Sequence, residues 1–255
     1  AAAAAAQALQ LRGHSIESVN LASNKFLTRS RLHEVGLPSP WFRSVPLDVA
    51  AESVIDCITF PCVVKPLTMS GSQGVIRANT SNELIKAIRC VKKLLCLSDV
   101  QRMRDPANLV LLIEKYISGI EVAIEGVMIR GELHILAIFD KPNPLTGPFF
   151  EETIYVTPTV LSDVDVSRIS KTLSCAVAAL GLSHGSVHAE CRVNDSGVFV
   201  LEVAARSIGG LCSRTLRFDS PNAEGISLEE LLLRHAVGED ITLYQREAMA
   251  AGVMM

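Results

Sequence analysis

Apolar positions along the chain fall into two periods, and the alternation between them predicts an α+β protein. Ala1 to Leu11 forms helix from its first residue, with Gly13 as a stop. From Ser18 to Val35, Leu21, Phe26, Leu27, Leu32 and Val35 make a helical stripe, which Gly36 and Pro38 terminate. Short apolar runs at Trp41–Val45 and Phe60–Pro66 read as strands, with a helix expected over Leu47–Ile58. A loop rich in Gly and Ser follows Pro66, then a strand at Val75–Ala78 and a helix over Glu83–Leu95 capped by Thr80 or Ser81. Strands are predicted at Leu109–Glu114, Glu121–Ile129 and Glu132–Phe139, followed by a Pro/Gly-rich loop, Lys141–Pro148, and the segment Phe149–Tyr155. A helix over Val166–Leu180, closed by Gly181, leads to a hairpin between Gly185 and Gly210. The last helix opens with a capping box, Ser227 and Glu230, and stops at Gly238.

The hairpin carries the first chemical signal. Glu190 and Glu202 lie twelve residues apart, with Arg206 shortly after. A three-residue loop, Asp195-Ser196-Gly197 with Gly197 left-handed, pairs Asn194 with Val198 and brings Glu190 opposite Glu202 and His188 opposite Ala204. Directly opposed residues have Cβ atoms roughly 4.5–5.5 Å apart. Two bare carboxylates at that distance share a proton unless a cation sits between them. Magnesium suits such a pair, because it prefers oxygen ligands and keeps phosphate as a partner. The same residues also suit a solvated sheet face. A loop of two or four residues would send the two glutamates to opposite faces.

Composition narrows the class. Hydrophobic residues at 49% and charged residues at 20% describe a folded globular chain, long enough for one large domain or two small ones. A net charge of −3 and only 5% aromatics give no case for nucleic acid or an anionic membrane, and no apolar run reaches transmembrane length. Seven cysteines without a C-x-x-C pair read as buried thiols in a reducing, cytoplasmic compartment. His14, His33, His134, His184 and His235 show no metal-ligand spacing, and no G-x-S-x-G nucleophile motif is present. The helical start without a cap and the apolar stop at Met255 suggest a piece cut from a longer chain.

Two further constellations are weaker alone. Lys65 ends a strand and precedes Ser70, Gly71, Ser72 and Gly74, small residues that let backbone N–H groups approach a phosphate; an ordinary loop has the same composition. Glu114-Lys115-Tyr116-Ile117, followed by Glu121, reads as a hinge that pairs with a nucleotide base and ribose, or as a plain strand connection.

In order, these signals resemble the ATP-grasp superfamily. The resemblance runs from about Ser18 to Met255 and includes Asn24-Lys25 and Gly36-Leu37-Pro38. The Glu202–Arg206 segment, with Gly185 to Glu190, is most similar to the L-amino-acid ligases that make dipeptides. The resemblance implies ATP held between antiparallel sheets of two α+β subdomains. It divides the chain into linker helices at 1–40, a remnant of a preceding domain, a small subdomain at 41–114 and a large one at 115–255. It implies phosphate binding by Lys25, Lys65 and the loop holding Ser70, Gly71, Ser72 and Gly74. Base binding falls to Glu114, Lys115, Tyr116 and Ile117, and ribose binding to Glu121. Glu190 and Glu202 would ligate Mg2+, or Mn2+ in its place, and Arg206 would be catalytic.

Many members carry an asparagine ligand where Ala204 stands, which puts a second metal in question; His188 is expected to fill part of that space. Glu151, with the loop Lys141–Pro148, is expected on the substrate wall. The implied activity is carboxylate–amine ligation through an acyl phosphate, with small-molecule substrates, in a cytoplasmic protein that is often a homodimer. The alternatives are a purine-biosynthesis or carboxylase-type enzyme, or a nucleotide-binding regulator without turnover.

Overall fold

The computed structural model describes residues 1–102 and 104–255. Helices α1 (Ala2–Ala8), α2 (Ile16–Ser23) and α3 (Lys25–Glu34) open the chain. The single helix expected from Ser18 to Val35 is two helices. Asn24 takes an extended conformation, and its Oδ1 accepts from the backbone N–H groups of Phe26 at 3.0 Å and Leu27 at 3.2 Å. Asparagine competes with the helical backbone and favours this capping role, so the helix restarts there. Gln10 rather than Gly13 adopts positive φ after α1.

The first sheet has the order β1-β4-β2-β3, all antiparallel, from Phe42–Pro46 (β1), Cys62–Pro66 (β2), Ile76–Ala78 (β3) and Val110–Lys115 (β4). Helix α4 (Ser81–Leu95) covers one face with Leu84, Ala87, Ile88, Val91 and Leu95, meeting Cys62, Val64, Leu111 and Ile113. Thr80 caps α4 as expected, accepting from Glu83 N at 3.3 Å. Burying each such Leu or Ile contributes roughly 1.5–3 kcal/mol. The helix expected over Leu47–Ile58 is a shorter 3₁₀ segment, Ala51–Cys57, with no side-chain cap. A short helix, α5 (Ser98–Arg102), follows α4.

The second sheet, ordered β13-β7-β6-β5-β8-β9, is also antiparallel. Its strands are Ile120–Ile129 (β5), Glu132–Asp140 (β6), Ile154–Thr157 (β7), Gly185–Asn194 (β8), Gly197–Ala204 (β9) and Ala251–Met254 (β13). Helix α6 (Asp163–Ala179) buries Ile169, Leu173, Ala176 and Val177 against Val187, Ala189, Cys191, Val198, Val200 and Val203. Along β8 these residues alternate, so its other face carries His188, Glu190 and Arg192. A third sheet of Arg217–Ser220 (β10), Ala223–Ser227 (β11) and Gln245–Arg246 (β12) packs with α7 (Leu228–Ala236), which Ser227 caps through Glu230 N at 3.1 Å. The mixed helix and antiparallel-sheet class agrees with the sequence expectation.

The hairpin corrects the sequence reading in one detail and keeps its result. The turn has two residues, with Asn194 paired to Gly197, so loop parity alone sends Glu190 and Glu202 to opposite faces. A bulge restores the phase: Cys191 pairs with Val200 and Glu190 with Glu202, leaving Leu201 as the extra residue. Gly197 has φ +147, outside the left-handed helical region expected of it. The cysteines also depart from expectation: Cys62, Cys191 and Cys212 are buried, but Cys57, Cys90, Cys96 and Cys175 are exposed. Among the described residues, no helix is long and apolar enough to cross a membrane.

Candidate active site

A cleft of about 970 Å³ lies between the first and second sheets. Every site residue named from the sequence lines it except Gly74. That glycine has φ +72, and a Cβ there would lie 2.8 Å from Leu94 Cδ2 and 3.0 Å from Pro66 Cγ. It lets the loop turn against α4 and does not face the cavity. Gly71 and Ser72, at the loop's tip, also adopt positive φ and do line it.

On the first-sheet side, Lys65 and Glu114 project from adjacent antiparallel strands, away from α4. Lys65 Nζ donates to Glu114 Oε1 at 2.6 Å, and Arg29 Nε donates to Glu114 Oε2 at 3.1 Å. Arg29 Nη1 also reaches Val200 O at 2.7 Å, tying α3 and β4 to β9. Burial alone would push the Glu114 carboxyl up, but Arg29 and Lys65 outweigh it and hold it below the usual range. Burial and the neighbouring Arg29 hold Lys65 below its ordinary value despite Glu114. The backbone following β4 is partly engaged: Tyr116 N donates to Pro61 O at 3.0 Å, and Ile117 O accepts from Arg192. Guanidinium groups of Arg77 and Arg192 lie 4.0 and 5.0 Å from the Tyr116 ring centroid.

The second-sheet side is carboxylate-rich. Glu190 and Glu202 are direct cross-strand partners on the cleft face, and each holds an ammonium group. Lys141 Nζ is 2.6 Å from Glu190 Oε1 and 2.8 Å from Glu121 Oε1; Lys25 Nζ is 3.1 Å from Glu202 Oε2 and also donates to Met69 O at 2.5 Å. Arg192 Nε completes the chain on Glu121 Oε2 at 2.8 Å. His188 lies opposite Ala204, as expected. Its Nδ1 is 3.2 Å from Ile124 O, which can only accept, so Nδ1 carries the proton. Burial lowers its pKa more than Glu190 raises it, so the ring stays neutral near pH 7.

Beyond this cluster the cleft wall also includes Phe150, Glu151, Glu152, Tyr155 and the segment Arg206 to Gly210. Glu152 is raised above the usual carboxylate range by burial and by Glu190. Arg206 Nη1 donates to Ser207 O at 2.8 Å. Behind this wall Glu125 is fully buried and accepts from Ile208 N at 2.7 Å through Oε2, while its Oε1 has no hydrogen-bond partner. Burial pushes its carboxyl up to about 8.

Arg29, Arg192, Glu125 and Tyr155 carry no role in the sequence reading, and Lys141 enters it only as the start of the loop expected on the substrate wall. Arg29 stands one helical turn from Lys25, Arg192 two strand positions from Glu190, and Glu125 four from Glu121. Those spacings put each on the same face as a recognised residue and could have found it. Lys141 and Tyr155 had no such local signal, because their partners come from other strands.

The cleft between the sheets thus sets a basic, glycine-containing side against the Glu190–Glu202 carboxylate pair. Residues 58–215 match the ATP-grasp domain family. L-Amino acid ligase from Bacillus licheniformis superposes with a TM-score of 0.80 and 32% identity, over 98% of this chain and 59% of that one. D-Alanine–D-alanine ligase from Bacillus anthracis complexed with ATP aligns with a TM-score of 0.60 at 21% identity, over 80% of this chain and 62% of that one; this likeness is one of fold. Alanine–anticapsin ligase of Bacillus subtilis is 26% identical over an alignment of 269 positions, gaps included, that covers 96% of this chain and 52% of that protein. D-Alanine–D-alanine ligase of Flavobacterium johnsoniae is 26% identical over 191 residues, covering 72% of this chain and 54% of that protein. The chain thus spans about half the length of the curated relatives it matches. With more than half of its residues inside the matched span, and with the paired glutamates and strand β4 among them, the chain belongs to the ATP-grasp family.

Proposed function

We propose that the cleft binds ATP with magnesium and that the protein joins a carboxylate to an amine, releasing ADP and phosphate, with amino acids as substrates. The observation that carries this reading is the direct pairing of Glu190 with Glu202 on the cleft face, opposite Lys65 and the Ser70–Ser72 loop. The donor set fits magnesium. Among the described residues no group of three or more His, Cys, Asp or Glu could hold a metal, but magnesium is commonly held by one or two carboxylates together with substrate phosphates. Each glutamate is engaged by lysine through one oxygen only in the contacts above, Oε1 of Glu190 and Oε2 of Glu202. When bound, the metal would offset phosphate charge.

This chain's own residues would do the remaining work. Lys25 and Lys65 would take phosphate oxygens, and Ser70, Gly71 and Ser72 would close over them with backbone N–H groups. Tyr116 and Ile117 would flank the base and Glu121 would hold the ribose. Arg206, which lines the same cleft as Glu151 and Glu152, would stabilise charge developing on the acyl phosphate and on the tetrahedral centre formed by the attacking amine. Phosphoryl transfer needs mainly positioning and charge neutralisation, so no protein nucleophile is required. Neutral His188, opposite Ala204, would fill space that a longer polar residue takes in other members.

The amino-acid substrate class is supported by the names of the relatives, two of which ligate alanine. The test is ADP and phosphate release by the full-length protein across a panel of amino-acid pairs. Release that requires two amino acids supports the reading. ATP binding without release for any pair would favour a regulatory, non-catalytic protein.

A further inference from the structure

The two glutamates that face each other are not bare. Lys141 and Lys25 sit on them, and neither lysine is a loose surface group. Lys141 has a side chain only 4% exposed and bridges Glu190 to Glu121. It follows directly on Asp140, whose carboxylate is fixed by Thr159 Oγ1 at 2.5 Å and Val160 N at 2.8 Å. Lys25 is the first residue of α3, held at a defined point by the Asn24 cap, and its side chain is 9% exposed. Adding Arg192, the linked cluster has three cations, Lys25, Lys141 and Arg192, and three anions, Glu121, Glu190 and Glu202. Within these salt bridges cations and anions are matched before any metal arrives, and the Glu152 carboxyl lies beside them.

We propose that Lys25 and Lys141 are resident counter-ions of the carboxylate pair: they hold Glu190 and Glu202 in place without metal, and they make the cleft take up a divalent cation only together with a polyphosphate. This inference rests on the magnesium–nucleotide reading of the cleft. A divalent ion entering alone would have to share each carboxylate with an ammonium group already within 2.6–3.1 Å, and like charges that close repel strongly in a partly buried site. A polyphosphate removes the obstacle, because its oxygens offer Lys25 a second partner while supplying further ligands to the metal. Lys141, also bonded to Glu121, keeps an anionic partner even when Glu190 turns to the metal. The two lysines thus differ in role: Lys25 exchanges partners and Lys141 stays.

The test uses Mn2+ as the probe, with free ion read by electron paramagnetic resonance in the full-length protein. The nucleotide-free wild-type protein should leave Mn2+ free at concentrations where addition of a non-hydrolysable ATP analogue causes uptake. Nucleotide-free Lys141→Met should bind Mn2+ at least about tenfold more tightly than wild type and gain thermal stability on Mn2+ addition. Lys25→Gln, at a less connected position, should show the same gain, and it carries the comparison if Lys141→Met fails to fold. Wild type binding Mn2+ equally well with and without nucleotide would overturn the counter-ion role, as would variants no tighter than wild type. Absence of Mn2+ uptake by wild type even with the nucleotide analogue would overturn the nucleotide reading and the inference with it.

Discussion

Replacing Glu125 with glutamine should change how stability depends on pH, by an amount the structure fixes. Glu125 has no exposed surface, one hydrogen bond from Ile208 N at 2.7 Å and an unpartnered Oε1. Burial is the main cause of its raised pKa, about 8 against 4.5 for a free side chain, and the Ile208 bond and Arg206 only partly offset it. Between those two values the folded protein holds a proton that the unfolded chain has released. Stability therefore falls as pH rises through this window, at a limit of about 1.4 kcal/mol per pH unit. From pH 5 to 8 the wild-type protein should lose on the order of 3 kcal/mol from this one group. Glutamine keeps an acceptor for Ile208 N and does not ionise. Urea unfolding of both proteins at pH 5, 6, 7 and 8 measures the difference, in which constant packing effects cancel. The stability of Glu125→Gln minus wild type should rise by roughly 2–4 kcal/mol across the series. A difference independent of pH would refute the assignment of a protonated, buried Glu125.

Other predictions concern the cleft and its supports. Arg206→Ala should lower kcat by about 10²–10³ while leaving KM for ATP near wild type, and equal losses in both would contradict a role confined to the reacting carboxyl. Arg29→Ala leaves Glu114 with one buried cation in place of two and should cost about 3–5 kcal/mol in urea unfolding; a loss under 1 kcal/mol would contradict the tie between α3, β4 and β9. Gly74→Ala should destabilise by about 1–2 kcal/mol from its positive φ alone, with more from contact at Leu94 and Pro66. A thiol reagent should titrate four cysteines in the native protein and all seven after unfolding; only background reaction in the native state would contradict the exposure of Cys57, Cys90, Cys96 and Cys175.

Much of this fold was legible because periodicity reports which face is buried, and β8 and α4 keep their period cleanly. The hairpin shows where such reading stops. In Val198–Leu201 every residue is apolar, so alternation carries no phase and the bulge at Leu201 leaves no trace in the sequence. The expected pairing of Glu190 with Glu202 came from an assumed three-residue loop, whereas the chain reaches it by a shorter turn plus an extra strand residue. The break at Asn24 was visible in principle, since Asn is a strong cap, but the apolar stripe continues across it. The ionic partners were least legible. Lys141 meets Glu121 and Glu190 only because β6, β5 and β8 are neighbours in the sheet, and strand order is not written in local pattern.

Glu190 and Glu202 are the pair proposed to hold magnesium on a nucleotide in this cleft. Calorimetric titration of a non-hydrolysable ATP analogue into wild type and Glu202→Gln, each with magnesium and with chelator, tests that role most directly. Wild type should bind much more tightly with magnesium than without, and Glu202→Gln should lose most of that difference while keeping its fold. Binding that ignores magnesium in wild type, or that keeps its full magnesium dependence in Glu202→Gln, would contradict the account.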